Sequence, residues 1–222
     1  MSEEKIRKIL AEYPEILFGF APGIGESARG FRSVLVFAVP YGRQLSLETY
    51  TEEAFEEGIQ LAKKSMERLL KGLKQALDED HISYWLPPAA QSSETELLAP
   101  VPFKAAAVQA GLGWIGKNDV LITKEYGPRV RLYAVLIDES FPYGDPVTKS
   151  LCPSSCRLCA DACPVHALHG VCWTPDIQRS DLIDYPLCNQ TRSNALLERG
   201  EKSPCGLCIA ACPVGKLKNA FA

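Results

Sequence analysis

Between Glu48 and Asp80 apolar side chains recur every three or four positions, at Phe55, Ile59, Ala62, Met66, Leu69, Leu70, Leu73 and Leu77. That spacing predicts one long amphipathic helix. Glutamates gather at its start and lysines in its second half, the order a helix dipole favours. Upstream, Ile6, Ile9, Leu10 and Tyr13 share a helical face that Ser2 is placed to cap, and FGFAPGIGESARG reads as loop. The unbroken apolar run VLVFAVPY, 34 to 41, predicts a buried strand stopped by Pro40. Further strands are expected at ISYWL (82 to 86), DVLIT and VRLYAVLID (130 to 138), with a short helix at FKAAAVQAG. PPAAQSSETELLAPVP, between the second strand and that helix, is a polar loop of the length used by lids and binding segments.

The alternation of helices and strands stops near residue 148. Residues 1–148 are therefore expected to form an α+β domain around a modest sheet. Residues 149–222, rich in cysteine and punctuated by proline and glycine, are expected to form a second module.

With 222 residues, 46% of them hydrophobic, the chain can bury a core. Net charge is 24 minus 27, or -3, with no lysine or arginine block, so bulk electrostatics point to neither nucleic acid nor a membrane surface. No apolar run reaches membrane-spanning length, and MSEEKIRKILAEYPEILFGF lacks the layout of a signal peptide. The expected location is the cytoplasm, where thiols stay reduced and clustered cysteines bind metal or do chemistry.

Seven of the nine cysteines lie in CPSSCRLCADACPVHAL (152 to 168) and CGLCIAACPVGK (205 to 216). Both runs contain Cys-x2-Cys-x3-Cys-Pro, through Cys156, Cys159 and Cys163 and through Cys205, Cys208 and Cys212. Two-cluster ferredoxins use such runs, with the cysteine before proline reaching the other cluster. Zinc knuckles give no reason for two Cys-Pro endings. Cys152-x3-Cys156-x2-Cys159 has radical-enzyme spacing, but the partial barrel such enzymes need does not fit after it. Ligand arithmetic then puts Cys152, Cys156, Cys159 and Cys212 on one 4Fe-4S cluster and Cys205, Cys208 and Cys163 on a second, whose fourth ligand is Cys172 or Cys188.

Residues 110 to 118, AGLGWIGKN, match G-x-G-x-x-G and nearly match a P-loop. Both motifs require a strand before the glycines and a helix after them, the reverse of the order here. A helix C-cap accounts for Gly111. The cap does not account for the whole set, so Gly111, Gly113, Trp114, Gly116, Lys117 and Asn118 are together candidates for close approach to a flat cofactor or a cluster. Lys104 and Lys117 are candidates for contacts to amide or phosphate groups. His81, His166 and His169 read as surface residues and Tyr41 as packing.

KAAAVQAGLGWIGKNDVLIT, a following strand, and two Cys-x2-Cys-x3-Cys-Pro runs separated by an isolated cysteine resemble the core of the epoxyqueuosine reductase family and, more distantly, the reductive dehalogenases. The resemblance implies a nitroreductase-like α+β domain that binds cobalamin, followed by a ferredoxin-like domain with two 4Fe-4S clusters. It makes Cys188 the isolated ligand and Cys172 the spare, and it places AGLGWIGKN beside the corrinoid, with FMN as the rival cofactor.

Three departures accompany it. The family's acidic D-x-G-P stretch is missing from SSETELLAPVPFKAAA, so no catalytic acid carries over. The first run has one residue more than the family's usual C-x2-C. Only LKNAFA follows Lys216, where the family has a helical region associated with tRNA. The expected partner is a redox protein or a small-molecule substrate, with tRNA not expected, and no oligomeric state is assigned.

Overall fold

The computed structural model describes residues 3–23, 28, 30–88, 99–199 and 205–215. The capping role of Ser2 and most of the PPAAQSSETELLAPVP loop lie outside the described residues. Two compact units divide the chain. One comprises Met1–Pro40, Ala62–Leu112 and Arg131–Val147, and the other Tyr41–Leu61, Gly113–Val130 and Thr148–Ala222.

The first unit is built on a four-stranded sheet in the order β1 (Leu17–Pro22), β2 (Ser33–Pro40), β6 (Val130–Ile137), β3 (Tyr84–Trp85). β1 (Leu17–Pro22) pairs antiparallel with β2 (Ser33–Pro40), Leu17 opposite Ala38 and Pro22 opposite Ser33. All eight β2 residues are buried, as their unbroken apolar run requires of a strand between two neighbours. β6 (Val130–Ile137) lies on its other side and pairs antiparallel with β3 (Tyr84–Trp85), the two residues of ISYWL that form a strand.

The long helix α2 (Glu52–Glu79) starts four residues later than its charge pattern suggests, because Thr51 caps it: the Ala54 amide donates to the Thr51 hydroxyl at 3.0 Å. Ala62, Met66, Leu69, Leu73 and Leu77 form its buried stripe. α1 (Glu3–Leu10) lies along the end of α2, with the Lys5 ammonium 2.7 Å from the Asp80 carboxylate. That pair raises the Lys5 pKa and lowers that of Asp80, chiefly through the hydrogen bond between them.

β1 was expected to be loop, and the reason is Gly19. A side chain at position 19 would press within 2.9 Å of the Ala110 carbonyl, and Ala110 is the C-cap of α3 (Phe103–Gln109). The glycine that breaks the strand pattern is the one that admits the helix end. α3 itself closes in a Schellman motif, with Gly111 N–H bonded to Val108 O and Leu112 N–H to Ala107 O, and Gly111 at φ 74°. The C-cap reading of Gly111 therefore holds. The segment after β6 returns over this corner: Phe141 stacks on Phe20 at 4.3 Å, and the Gly144 amide donates to Phe20 O.

The compact units are not continuous in sequence. Tyr41–Leu61 and Gly113–Val130 belong with the cysteine-rich segment, because their side chains bind its backbone: Lys117 donates to Ser154 O and Cys156 O, and Arg129 to Leu45 O and Cys212 O.

Gly111→Ala should destabilise the protein by about 1–2 kcal/mol, the cost of a side chain in the left-handed region, and more if Asp145, whose carbonyl lies 2.8 Å from the new Cβ, does not yield. Chemical denaturation measures this, and an unchanged midpoint would contradict the role given to Gly111.

Candidate metal centre

The two cysteine runs fold alike and share three backbone hydrogen bonds at matching positions. In the first, α4 (Leu158–Asp161) is closed by Asp161 N–H to Arg157 O, Ala162 N–H to Leu158 O and Cys163 N–H to Ala160 O. In the second, α7 (Leu207–Ala210) is closed by Ala210 N–H to Gly206 O, Ala211 N–H to Leu207 O and Cys212 N–H to Ile209 O. Each run is thus a single helical turn ending on a cysteine before proline, and Ala160 and Ala210 are buried in it. Proline after Cys163 and Cys212 ends the turn because it cannot extend the helical ladder.

Cys152, Cys156 and Cys159 from the first run and Cys212 from the second border one cavity, together with Lys117, Asn118, Ile122, Leu158 and Pro213. Among the described residues no three metal-binding side chains converge as for a single ion. The four thiols ring a space instead of meeting at a point. Burial pushes the Cys159 thiol up to about 11, and Cys152, Cys212 and Cys156 push the same way. Cys212 is raised by burial too, against the opposing pull of the Val214 backbone and Arg129.

The remaining ligand candidates act on one another. Cys208 is raised by burial first and then by Cys205, Cys159, Cys188 and Cys163. Cys188, on α6 (Tyr185–Arg199), is raised by burial and by Cys205 and Cys163, while Arg192 and Arg179 lower it. Cys163 therefore lies among the thiols of the second run, as Cys212 lies among those of the first. The influence of Cys159 on Cys208 shows that the two groups are neighbours. Cys172 borders no part of the cavity; its thiol points at Cys152 O, 3.7 Å away. Thiols raised in this way resist ionising until a metal takes the charge.

Of the proposed cofactor contacts, Lys104 and Gly111 belong to the first unit and Gly113, Trp114, Gly116, Lys117 and Asn118 to the second. The latter five lie on or beside a small hairpin of β4 (Trp114–Ile115) and β5 (Leu121–Ile122), so DVLIT supplies only two strand residues. The structure gives the glycines a cause other than a cofactor face. A side chain at Gly113 would collide with the Ile122 carbonyl, and one at Gly116 with the Ile122 side chain.

Lys117, 2% exposed, donates to Ser154 O at 2.8 Å and Cys156 O at 2.9 Å. The Asn118 amide donates to Cys208 O at 3.3 Å. The motif thus grips both cysteine loops. Trp114 Nε1 and Asn118 Oδ1 are buried without a hydrogen-bond partner among the described residues.

Three contributors were missed in the sequence. Arg129, 1% exposed, donates to Leu45 O, Val214 O, Ala210 O and Cys212 O. A charged residue at the mouth of an apolar strand, in PRVRLYAVL, was the available signal. The Tyr50 hydroxyl accepts from the Gly206 amide between Cys205 and Cys208, and burial raises its pKa. Arg179 bonds Asp119 at 3.0 Å and stacks over Tyr185 at 3.6 Å, three residues before Cys188. Tyr41 packs edge-on to Phe55, and His81, His166 and His169 are exposed, as expected.

The site is thus a set of thiols presented by two matched cysteine turns, each reaching the partners of the other. No family model matches the chain. Among curated proteins it is 35% identical over 106 residues to an epoxyqueuosine reductase of Cyclobacterium marinum, covering 48% of this chain and 31% of that protein. It is 28% identical over 217 residues to an epoxyqueuosine reductase of Listeria monocytogenes, covering 92% of this chain and 51% of that protein. A crystal structure of an epoxyqueuosine reductase superposes over 96% of this chain and 65% of its own, with TM-score 0.60 and 19% identity. A reductive dehalogenase whose structure is described for B12-dependent dehalogenation superposes over 96% of this chain and 32% of its own, with TM-score 0.64 and 15% identity. The chain is a relative of the epoxyqueuosine reductases and shares their mixed helix-and-sheet fold with the reductive dehalogenases. It spans about half the length of the Listeria protein and less of the others in sequence.

Gly113→Val should open the β4–β5 hairpin and displace Lys117 and Asn118 from the cysteine loops. The melting temperature should fall, and an unchanged one would show that the hairpin does not support the cysteine loops.

Proposed function

We propose that this chain is an oxidoreductase that passes electrons through two 4Fe-4S clusters to an acceptor in the cytoplasm. The observation that carries the reading is the crossing of the two cysteine turns. Cys152, Cys156, Cys159 and Cys212 would hold one cluster, and Cys163, Cys188, Cys205 and Cys208 the other. Bound clusters supply one-electron storage and transfer. The chain's own part is to bring eight thiols into two rings, keep water from the buried ones, and fix both loops through Lys117, Asn118 and Arg129.

A ferredoxin-like cysteine segment and a nitroreductase-like sheet unit are the domain description that fits this reading. The acceptor proposed first is a corrinoid, supported by kinship with proteins that include a B12-dependent dehalogenase. The glycines do not form a face for it. What the AGLGWIGKN segment leaves for a bound group is the unpartnered Trp114 Nε1 and Asn118 Oδ1. Kinship with epoxyqueuosine reductases also puts epoxyqueuosine-modified tRNA among the substrates to assay, against the expectation drawn from the sequence. Among the described residues no helix is long and apolar enough to cross a membrane.

Anaerobically reconstituted protein should contain about eight iron and eight acid-labile sulfide atoms, two cubes of four. Tightly held zinc without iron would overturn the reading. Cys163→Ser should damage the cluster of the second run and Cys212→Ser that of the first, whereas Cys172→Ser should leave iron content intact. Loss of iron from Cys172→Ser would exchange it with Cys188 as ligand. Anaerobic titration with cobalamin distinguishes the acceptors: corrinoid bands that shift on binding support the first, and no spectral change leaves an electron carrier without an organic cofactor.

A further inference from the structure

Among the described residues of the cysteine-bearing unit, Lys117 and Arg129 are the most buried cations, and the hydrogen bonds of both go to carbonyl oxygens. Lys117 bonds Ser154 O and Cys156 O; Arg129 bonds Leu45 O, Val214 O, Ala210 O and Cys212 O. Neither has a carboxylate partner among the described residues. Buried charges are ordinarily paired or bound to metal, since an isolated one is strongly disfavoured in a low-dielectric interior. Both cations reach the same ring of cysteines: Lys117 borders the cavity of Cys152, Cys156, Cys159 and Cys212, and Arg129 holds the Cys212 carbonyl.

The other ring is treated differently. Its Cys208 carbonyl takes a neutral amide from Asn118. Near Cys188, Arg179 is 36% exposed and neutralised by Asp119, and Arg192 is partly exposed, so both are screened more than Lys117 and Arg129.

We propose that Lys117 and Arg129 set the reduction potential of the cluster held by Cys152, Cys156, Cys159 and Cys212 above that of the cluster held by Cys163, Cys188, Cys205 and Cys208. The inference rests on the two-cluster reading given above. Each cluster gains one electron and one unit of negative charge on reduction, and a fixed buried cation favours the more negative state. Electrons entering the protein then collect on the first ring. The two residues are positioning groups, which neither ligate iron nor touch a substrate.

The test is a redox titration of the reconstituted protein with dithionite, followed by electron paramagnetic resonance. Wild-type protein should show two midpoints. In Lys117→Gln the higher one should fall by at least a tenfold change in the reduction equilibrium, which is 59 mV for one electron, while the lower one moves less. Lys117→Arg, which keeps the charge, should stay near wild type. Unchanged midpoints in Lys117→Gln, or an equal fall in Lys117→Arg, would overturn the proposal.

If Lys117→Gln does not hold its clusters, Cys152→Ser decides. It strips the first ring, and the surviving cluster must be the low-potential one; survival of the high-potential cluster refutes the assignment. Wild-type protein that takes up no iron sinks the two-cluster reading itself, and this inference with it.

Discussion

The hydrogen bonds from buried cations to the carbonyls of the cysteine loops are the constraint on which the cysteine-bearing unit depends. α4 and α7 are single turns of four residues, far below the length at which a helix is stable alone. Their shape must be imposed from outside. Lys117 fixes the loop of Cys156, Arg129 the loop of Cys212, and Asn118 the loop of Cys208. All three donors come from the stretch between Gly113 and Val130, which the chain delivers well before either cysteine run. Close approach does the rest. Gly127, at φ 58°, and Gly215, at φ 64°, let the two backbones pass where a side chain on either would strike the other.

Legibility in the sequence followed the range of the interactions. The stripe of α2, the buried run of β2 and the strand β6 are local patterns, and each appeared near its expected place. The doubled cysteine motif was readable because its spacing repeats in the chain, and the matched turns of α4 and α7 are that repeat in three dimensions. β1 was not readable, because Gly19 serves a helix end ninety or so residues away in the chain rather than the strand it sits in. Arg129 was missed for the same reason. Its four acceptors lie 81 to 85 positions away along the chain, and nothing beside it in sequence marks them.

AGLGWIGKN shows how one motif can mislead by being right in kind. Its glycines do mark close approach, but the approaching group is the protein itself: Asp145 at Gly111, Ile122 at Gly113 and Gly116. Its lysine does meet electron-rich oxygens, but they are carbonyls of the first cysteine loop. The segment also straddles the two compact units, with Gly111 and Leu112 ending one stretch of the first and Gly113 opening a stretch of the second. A reading that treats the nine residues as one cofactor loop merges two separate structural duties.

The balance of charge in the cysteine-bearing unit sets raised thiols beside buried basic side chains. Burial pushes Cys159, Cys188, Cys208 and Cys212 toward the neutral thiol, while Lys117 and Arg129 remain as buried cations with only dipoles to solvate them. Each feature is unfavourable by itself: a thiol that resists ionising is a poor ligand, and a cation without a counter-charge strains the core around it. On the two-cluster reading, bound iron would reverse both at once, because it would take the thiols as thiolates and place negative charge beside the cations; metal binding would then contribute to the folding of this unit. A sequence that places two unpaired cations against thiol-lined loops is organised around an anionic group, and that organisation is already present in the arrangement of its own backbone and side chains.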